Sequence, residues 1–345
     1  MKKLRDRYII PIYNIYYLDE FNHKIEIEDT IIEISLKIYS ENDMGFFISL
    51  EEFEKIFESR DTKLFDSFYK AIMLDEKLIQ DDCKVFLVVD FFKKAENRDL
   101  KLLNIILSTF HLLLKDGIVY HRYINRSFYQ KSYFNTYSGS SSIENGLDIH
   151  TPHQEPYSFS PFVGGNTYIK KSELDHFDTT FYILYNLYEK ENSQYSRILK
   201  QAIDYHILAK TFLNNEQTFA ILMIAIEAMF KSSRHLYKDI NKLAKLLASD
   251  LAQHDKILYK FKENENQKEF KKYFIAVRNS IVHGDEYLSE MELIEKLLEL
   301  YEYVRQCILK ILKINEERPL IDYYKDLFEE IEKRWEEKIN LTKEK

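Results

Sequence analysis

Glycine and proline are scarce in this chain, with seven and five among 345 residues. So few turn formers exclude a collagenous or low-complexity chain and favour long helices. Cysteine is scarcer still. The two, Cys83 and Cys307, are too few and too far apart for a disulfide framework or a thiolate zinc site, which points to a reducing compartment. No window approaches the roughly 18 uncharged apolar residues of a membrane span. The opening MKKLRDRYIIPIYNIYYLDE has a basic cluster, but acidic residues arrive before an apolar run of signal-peptide length. A cytoplasmic protein with no membrane partner is the expectation. Basic charge is also in deficit, 49 Lys and Arg against 57 Asp and Glu for a net −8, so general attraction to nucleic acid is not expected. Any such binding must use local patches.

What is abundant is apolar and aromatic. Hydrophobic residues make up 45% and charged ones 31%, with 26 Tyr and 24 Phe, the profile of a folded chain. The length suits two domains, each able to bury its own core.

Residues 1–165 read as mixed α+β. Arg7 to Tyr17, His23 to Glu28 and Thr30 to Tyr39 carry the Ile and Tyr alternation of strands, and KVFLVVDFF (Lys84 to Phe92) reads as a buried strand. Ser49 to Leu78 has helical spacing, and the segment from Leu100 to Lys115 is a helix stopped by Gly117. From Ser138 to Gly165, SGSSSIENG, three prolines and a Gly164-Gly165 pair mark a long loop and a domain boundary.

Residues 166–345 read as all helix. The expected helices lie near Ser172 to Lys190, Ser193 to Phe212, Asn215 to Lys231, Tyr237 to Leu251, Asn266 to His283, Ser289 to Lys313 and Pro319 to Ile339. Ser289 with Glu292 makes a capping box, and Ser172 with Asp175 a weaker one. In the last helix Leu320, Tyr324, Leu327, Ile331, Trp335 and Ile339 form one stripe, suited to packing on its own domain or to a dimer contact.

The chemistry concentrates in YFIAVRNSIVHGDEY, residues 273 to 287. Arg278 and His283 are five apart and project about 140° from one another on an ideal helix. Asn279 and His283 are four apart and stack, so the Asn279 amide could orient the imidazole. A histidine in the last turn, before a Gly284 cap, suits proton exchange near neutral pH. Arg and His are equally favoured at helix C-termini with no catalysis involved. Glu227 interrupts the apolar run Phe219 to Phe230, and an unpaired carboxylate there is costly, so Arg278 is its expected partner.

Two stretches offer cations. Between Lys256 and His283, Lys256, Lys260, Lys262, Lys268, Lys271, Lys272 and Arg278 outnumber Glu263, Glu265 and Glu269, a face able to hold a phosphate backbone or simply a solvated one. Gly117 to Ile143 holds no acidic residue and sets Arg122, Arg126 and Lys131 among seven aromatics, which suits base stacking or an ordinary aromatic strand. His150 and His153 have ligand-like spacing but no evident third ligand, so no metal site and no cofactor are expected.

R-N-x-x-x-H at Arg278, Asn279 and His283, followed by Gly284, resembles the Rx4-6H signature of the HEPN superfamily. AILMIAIEAMF (Ala220 to Phe230) resembles a helix of its Apea-like group, YFIAVRNSIVHGD a later one, and the likeness covers about residues 172 to 313. The N-terminal part, with VVDFFKKA and LLNIILSTF, is similar more loosely. The resemblance implies a HEPN-like helical bundle whose two copies pair so that both Arg and His sets line one cleft. It implies metal-independent cleavage of RNA by ribose 2′-hydroxyl attack, in a toxin or antiphage abortive-infection effector. His283 would be general base or acid, Arg278 would stabilise phosphorane charge, Asn279 would position, and Glu227 would support Arg278. The implied partners are RNA, a second copy, and a regulatory protein or phage-derived trigger for the N-terminal domain. The alternative is a non-catalytic HEPN-like module that binds nucleotide or RNA and dimerises.

Overall fold

A computed structural model describes residues 6–13, 21–28, 30–38, 85–92, 99–114, 118–119, 123–127, 141–143, 147–150, 171–189, 193–211, 214–232, 236–261, 273–283 and 288–343. The chain divides into two compact units, Met1–Pro156 with Val163–Phe181, and Tyr157–Phe162 with Tyr182–Lys345. The first is α+β and the second helical.

In the first unit, strands β1 (Asp6–Tyr13), β2 (Phe21–Ile27), β3 (Thr30–Ile38), β4 (Val85–Phe91), β6 (Tyr123–Ser127), β7 (Ser141–Ile143) and β8 (Leu147–His150) form one sheet in the order β2-β3-β4-β1-β6-β8-β7. The short β5 (Ile118–Val119) pairs with β1, and every pairing is antiparallel. Register follows burial. On β2, Ile25 and Ile27 face the core while Lys24 and Glu26 face out, and on β3 Ile32, Ile34 and Leu36 are buried opposite Phe91, Val89 and Leu87. Slipping either strand by one residue would expose the whole apolar set. Glu28 closes the β2–β3 hairpin at φ 50°, the left-handed geometry that tight hairpin turns require.

The expected loop from Ser138 instead begins with the β7–β8 hairpin, in which Ile143 pairs with Leu147. The signal was the Asn145-Gly146 dipeptide, a hairpin former standing between two short runs too polar to read as strands. The expected helix over Ser49 to Leu78 lies outside the described residues, as do Cys83 and His153.

Helix α1 (Asp99–Leu113) is apolar nearly all round, with Leu103, Ile105, Ile106 and Phe110 fully buried. The one helix expected over Ser172 to Lys190 is two, α2 (Lys171–Leu174) and α3 (Phe177–Glu189), so Ser172 lies inside a helix and is not a cap. The units divide within α3, after Phe181, rather than near residue 165. The reason is aromatic packing. Phe177 meets Phe21 at 5.7 Å and Phe110 at 5.0 Å, and His23 of β2 bonds Asp178 at 2.5 Å, so the first turn of α3 belongs to the core of the sheet unit.

The helical unit continues with α4 (Gln194–Thr211), α5 (Asn215–Phe230), α6 (Leu236–Leu247), α7 (Leu251–Lys260), α8 (Phe274–His283), α9 (Glu290–Glu317) and α10 (Tyr323–Lys343). Helix α9 packs on α4, α5 and α6, burying Leu293, Leu297, Leu300, Val304, Ile308 and Ile311 at helical spacing. Its Ser289–Glu292 capping box is present as expected. Helix α7 was hidden in the sequence by polar spacing, and its N-cap is Asp250, which accepts from the Gln253 N–H at 2.8 Å. The stripe on α10 faces its own unit: Leu327, Ile331 and Trp335 are buried, and α10 packs on α6. Lys310 donates to the Leu246 and Leu247 carbonyls at 3.0 and 3.1 Å, and Lys338 to that of Ala248 at 3.0 Å, so two cations complete the C-terminus of α6.

Two interior groups make opposite demands. The Tyr323 hydroxyl is fully buried with no hydrogen-bond partner among the described residues, and burial pushes its pKa far up. Tyr323→Phe removes that unmet donor, and chemical denaturation should show stability raised by about 1 kcal/mol. A loss of stability would instead point to an interior water bonded there. Glu330 is buried but bonded by Arg334 at 2.7 Å and Arg318 at 3.0 Å, and those bonds, Arg334's first, hold its carboxyl below the usual range. The unfolded chain therefore takes up this proton more readily than the folded one. The stabilisation is full above the unfolded carboxyl's value of about 4.5 and is lost as pH falls through the lower folded value. Glu330→Gln is expected to lose about 1–3 kcal/mol at neutral pH and to converge with the wild type in acid, read from denaturant curves at several pH values.

Candidate active site

Helix α8 buries Phe274, Ile275 and Val277, with Ser280, and so turns its other residues outward. Phe274 anchors it, with its ring 4.8 Å from Phe261, 6.1 Å from Phe219 of α5 and 6.0 Å from Tyr303 of α9, and with Lys296 Nζ 5.6 Å above it. That packing fixes which way the polar residues face. Asn279 and His283 are exposed, and Arg278 is half-buried beside α5.

The expected ion pair is present. Glu227 of α5 lies with Oε1 3.6 Å from Nη2 of Arg278, joining the two helices. Its other oxygen, Oε2, lies 3.5 Å from Nζ of Lys231, one turn along α5. The arrangement of Asn279 differs from expectation. Its Oδ1 accepts from Arg278 Nη1 at 3.2 Å instead of orienting His283, and among the described residues His283 has no side-chain partner. The Arg278 guanidinium thus contacts Glu227 of α5 and its own neighbour Asn279 at once.

One motif thus becomes a cluster: two cations on a shared carboxylate, an amide braced against one of them, and an exposed imidazole one turn further on. The cluster can bind an anion and offers His283 for proton exchange. Lys231 was legible in the sequence as the E-x-x-x-K of Glu227 to Lys231, an i,i+4 pair whose meaning depends on Arg278 arriving from another helix.

Lys271, Lys272 and Arg122 lie outside the described residues. Arg126 sits on β6 of the sheet unit, its backbone registered with Arg7 and Leu147. Burial pushes the Cys307 thiol well up, which makes it a packing residue and not a nucleophile. Among the described residues no group of His, Cys, Asp or Glu is placed to hold a metal ion, and no helix is long and apolar enough to cross a membrane.

The class defined by this architecture is an α+β unit followed by a helical unit. No protein-family model, no curated protein and no solved structure matches the chain.

Proposed function

We propose that the protein is a HEPN-like endoribonuclease whose site is completed by a second copy of the chain, acting as a toxin or antiphage effector under control of its N-terminal unit. The observation that carries this reading is the joining of Arg278 to Glu227 beside an exposed Asn279 and His283. An arginine held by a carboxylate is presented in a defined direction, and a histidine open to solvent is reachable by substrate.

In the reaction, one His283 takes the proton of a ribose 2′-hydroxyl as its oxygen attacks the adjacent phosphorus. The bond to the 5′-oxygen breaks, and that oxygen takes a proton from the His283 of the other copy. Arg278 stabilises the charge gathered on the phosphorane oxygens. The products are a 2′,3′-cyclic phosphate and a 5′-hydroxyl. The purified chain, incubated with total cellular RNA in EDTA, should yield those termini on end-sequencing. RNA left intact both by the chain alone and with an extract of phage-infected cells added, or new internal ends that carry 3′-hydroxyl groups, would overturn the reading.

A non-catalytic binding module is the second reading. It is favoured by the same guanidinium, which is ion-paired with Glu227 and donates to Asn279, an arrangement that a binding role needs as much as a catalytic one.

A further inference from the structure

The Glu227 carboxylate carries a cation on each oxygen, and the two cations come from different helices. From this juxtaposition we infer that Lys231 and Arg278 together seat one phosphodiester of the RNA, with Glu227 as the positioning residue that keeps both cations in place. The inference rests on the ribonuclease reading and adds a phosphate-binding residue to that site.

Three observations bear on it. The contacts are long: 3.5 Å to Lys231 and 3.6 Å to Arg278, against roughly 2.7–2.9 Å for a charge-assisted hydrogen bond. Neither cation is fully satisfied by the carboxylate, so each keeps donors for another acceptor. Among the described residues the charges do not cancel either, since two cations face one anion. A phosphodiester brings one negative charge and two non-bridging oxygens, which match the surplus and the number of donors.

The third observation is placement. Lys231 is the C-cap residue of α5 and its side chain is 39% exposed, while that of Arg278 on α8 is 31% exposed. Both reach solvent, and the two helices that carry them also meet through the rings of Phe219 and Phe274, 6.1 Å apart. An i,i+4 Glu–Lys pair alone is an ordinary helix-surface device. Here the third member, Arg278, comes from a separate helix and carries the motif.

The test uses the full chain with His283→Ala, so that RNA is bound and not cut. Binding of a fluorescein-labelled single-stranded RNA of mixed sequence is followed by anisotropy as salt rises from about 50 to 200 mM. Adding Lys231→Ala should make the slope of log affinity against log salt shallower by about 0.7, the value for one phosphate contact on a single strand. The affinity lost over that range then shrinks by about 2.6-fold. Lys231→Arg should restore the slope, and an unchanged melting curve for Lys231→Ala excludes a folding effect. If Lys231→Ala leaves the slope unchanged while Arg278→Ala lowers it, the seat is overturned and the ribonuclease reading stands. If no form binds RNA in a salt-dependent way, both are overturned together.

Discussion

His283→Ala should cut RNA about 10²- to 10⁴-fold more slowly than the wild type, the range expected when a positioned general acid or base is removed. Arg278→Ala should lose about 10²- to 10³-fold, because a donor aimed at developing phosphorane charge acts only in the transition state. Both are read as single-turnover rates with saturating enzyme, so that binding does not enter. Stability provides the control. His283 is exposed and has no side-chain partner among the described residues, so its truncation should leave the melting transition within about 0.5 kcal/mol of wild type. Arg278→Lys separates the two roles of that residue, because lysine keeps the charge but loses the planar fork. A rate between those of wild type and alanine is the expected result. Wild-type rates in His283→Ala would remove the histidine from the mechanism and shift the weight to the binding module.

The second large effect is on folding. Phe274→Ala is expected to cost about 3–5 kcal/mol, since the ring is 1% exposed and meets aromatic neighbours on three sides. A loss of that size is a large part of a typical domain's stability and should appear as a clear fall in the urea midpoint. Function should fail with it, for a geometric reason: Phe274 opens the helix that carries Arg278, Asn279 and His283, and its contact with Phe219 holds that helix against the one carrying Glu227 and Lys231. Phe274→Leu, which fills most of the space, should recover much of the stability. If Phe274→Ala melts like the wild type, the aromatic anchor of α8 is not what holds the helix in place.

Much of the architecture could be read from local pattern. The strands at β1 to β4 announced themselves through Ile and Tyr alternation or a continuous apolar run, and the long helices through apolar spacing, because those signals depend only on which face is buried. The Ser289–Glu292 cap was legible for the same reason, its partners being three residues apart. The β7–β8 hairpin was missed because its strands are short and mostly polar, and α7 because it is short, with its apolar residues gathered at its two ends around a polar QHDK run. The division inside α3 was missed because it depends on Phe177 meeting Phe21 and Phe110, which are far away along the chain.

The candidate site divides in the same way. The spacing of Arg278, Asn279 and His283 on one helix end is a property of the sequence, since 3.6 residues per turn sets their angles whatever surrounds them. The resemblance singled out those residues, and their spacing showed the misfit between Arg278 and His283 on a single helix. Tertiary structure decided what each side chain touches. Packing of α8 on α5 brought Glu227 to Arg278, Asn279 accepts from the guanidinium instead of orienting the imidazole, and Lys231 joined through the other oxygen of the same carboxylate. Charges act through space, and the distance from Glu227 to Arg278 is set by the fold rather than by the number of residues between them.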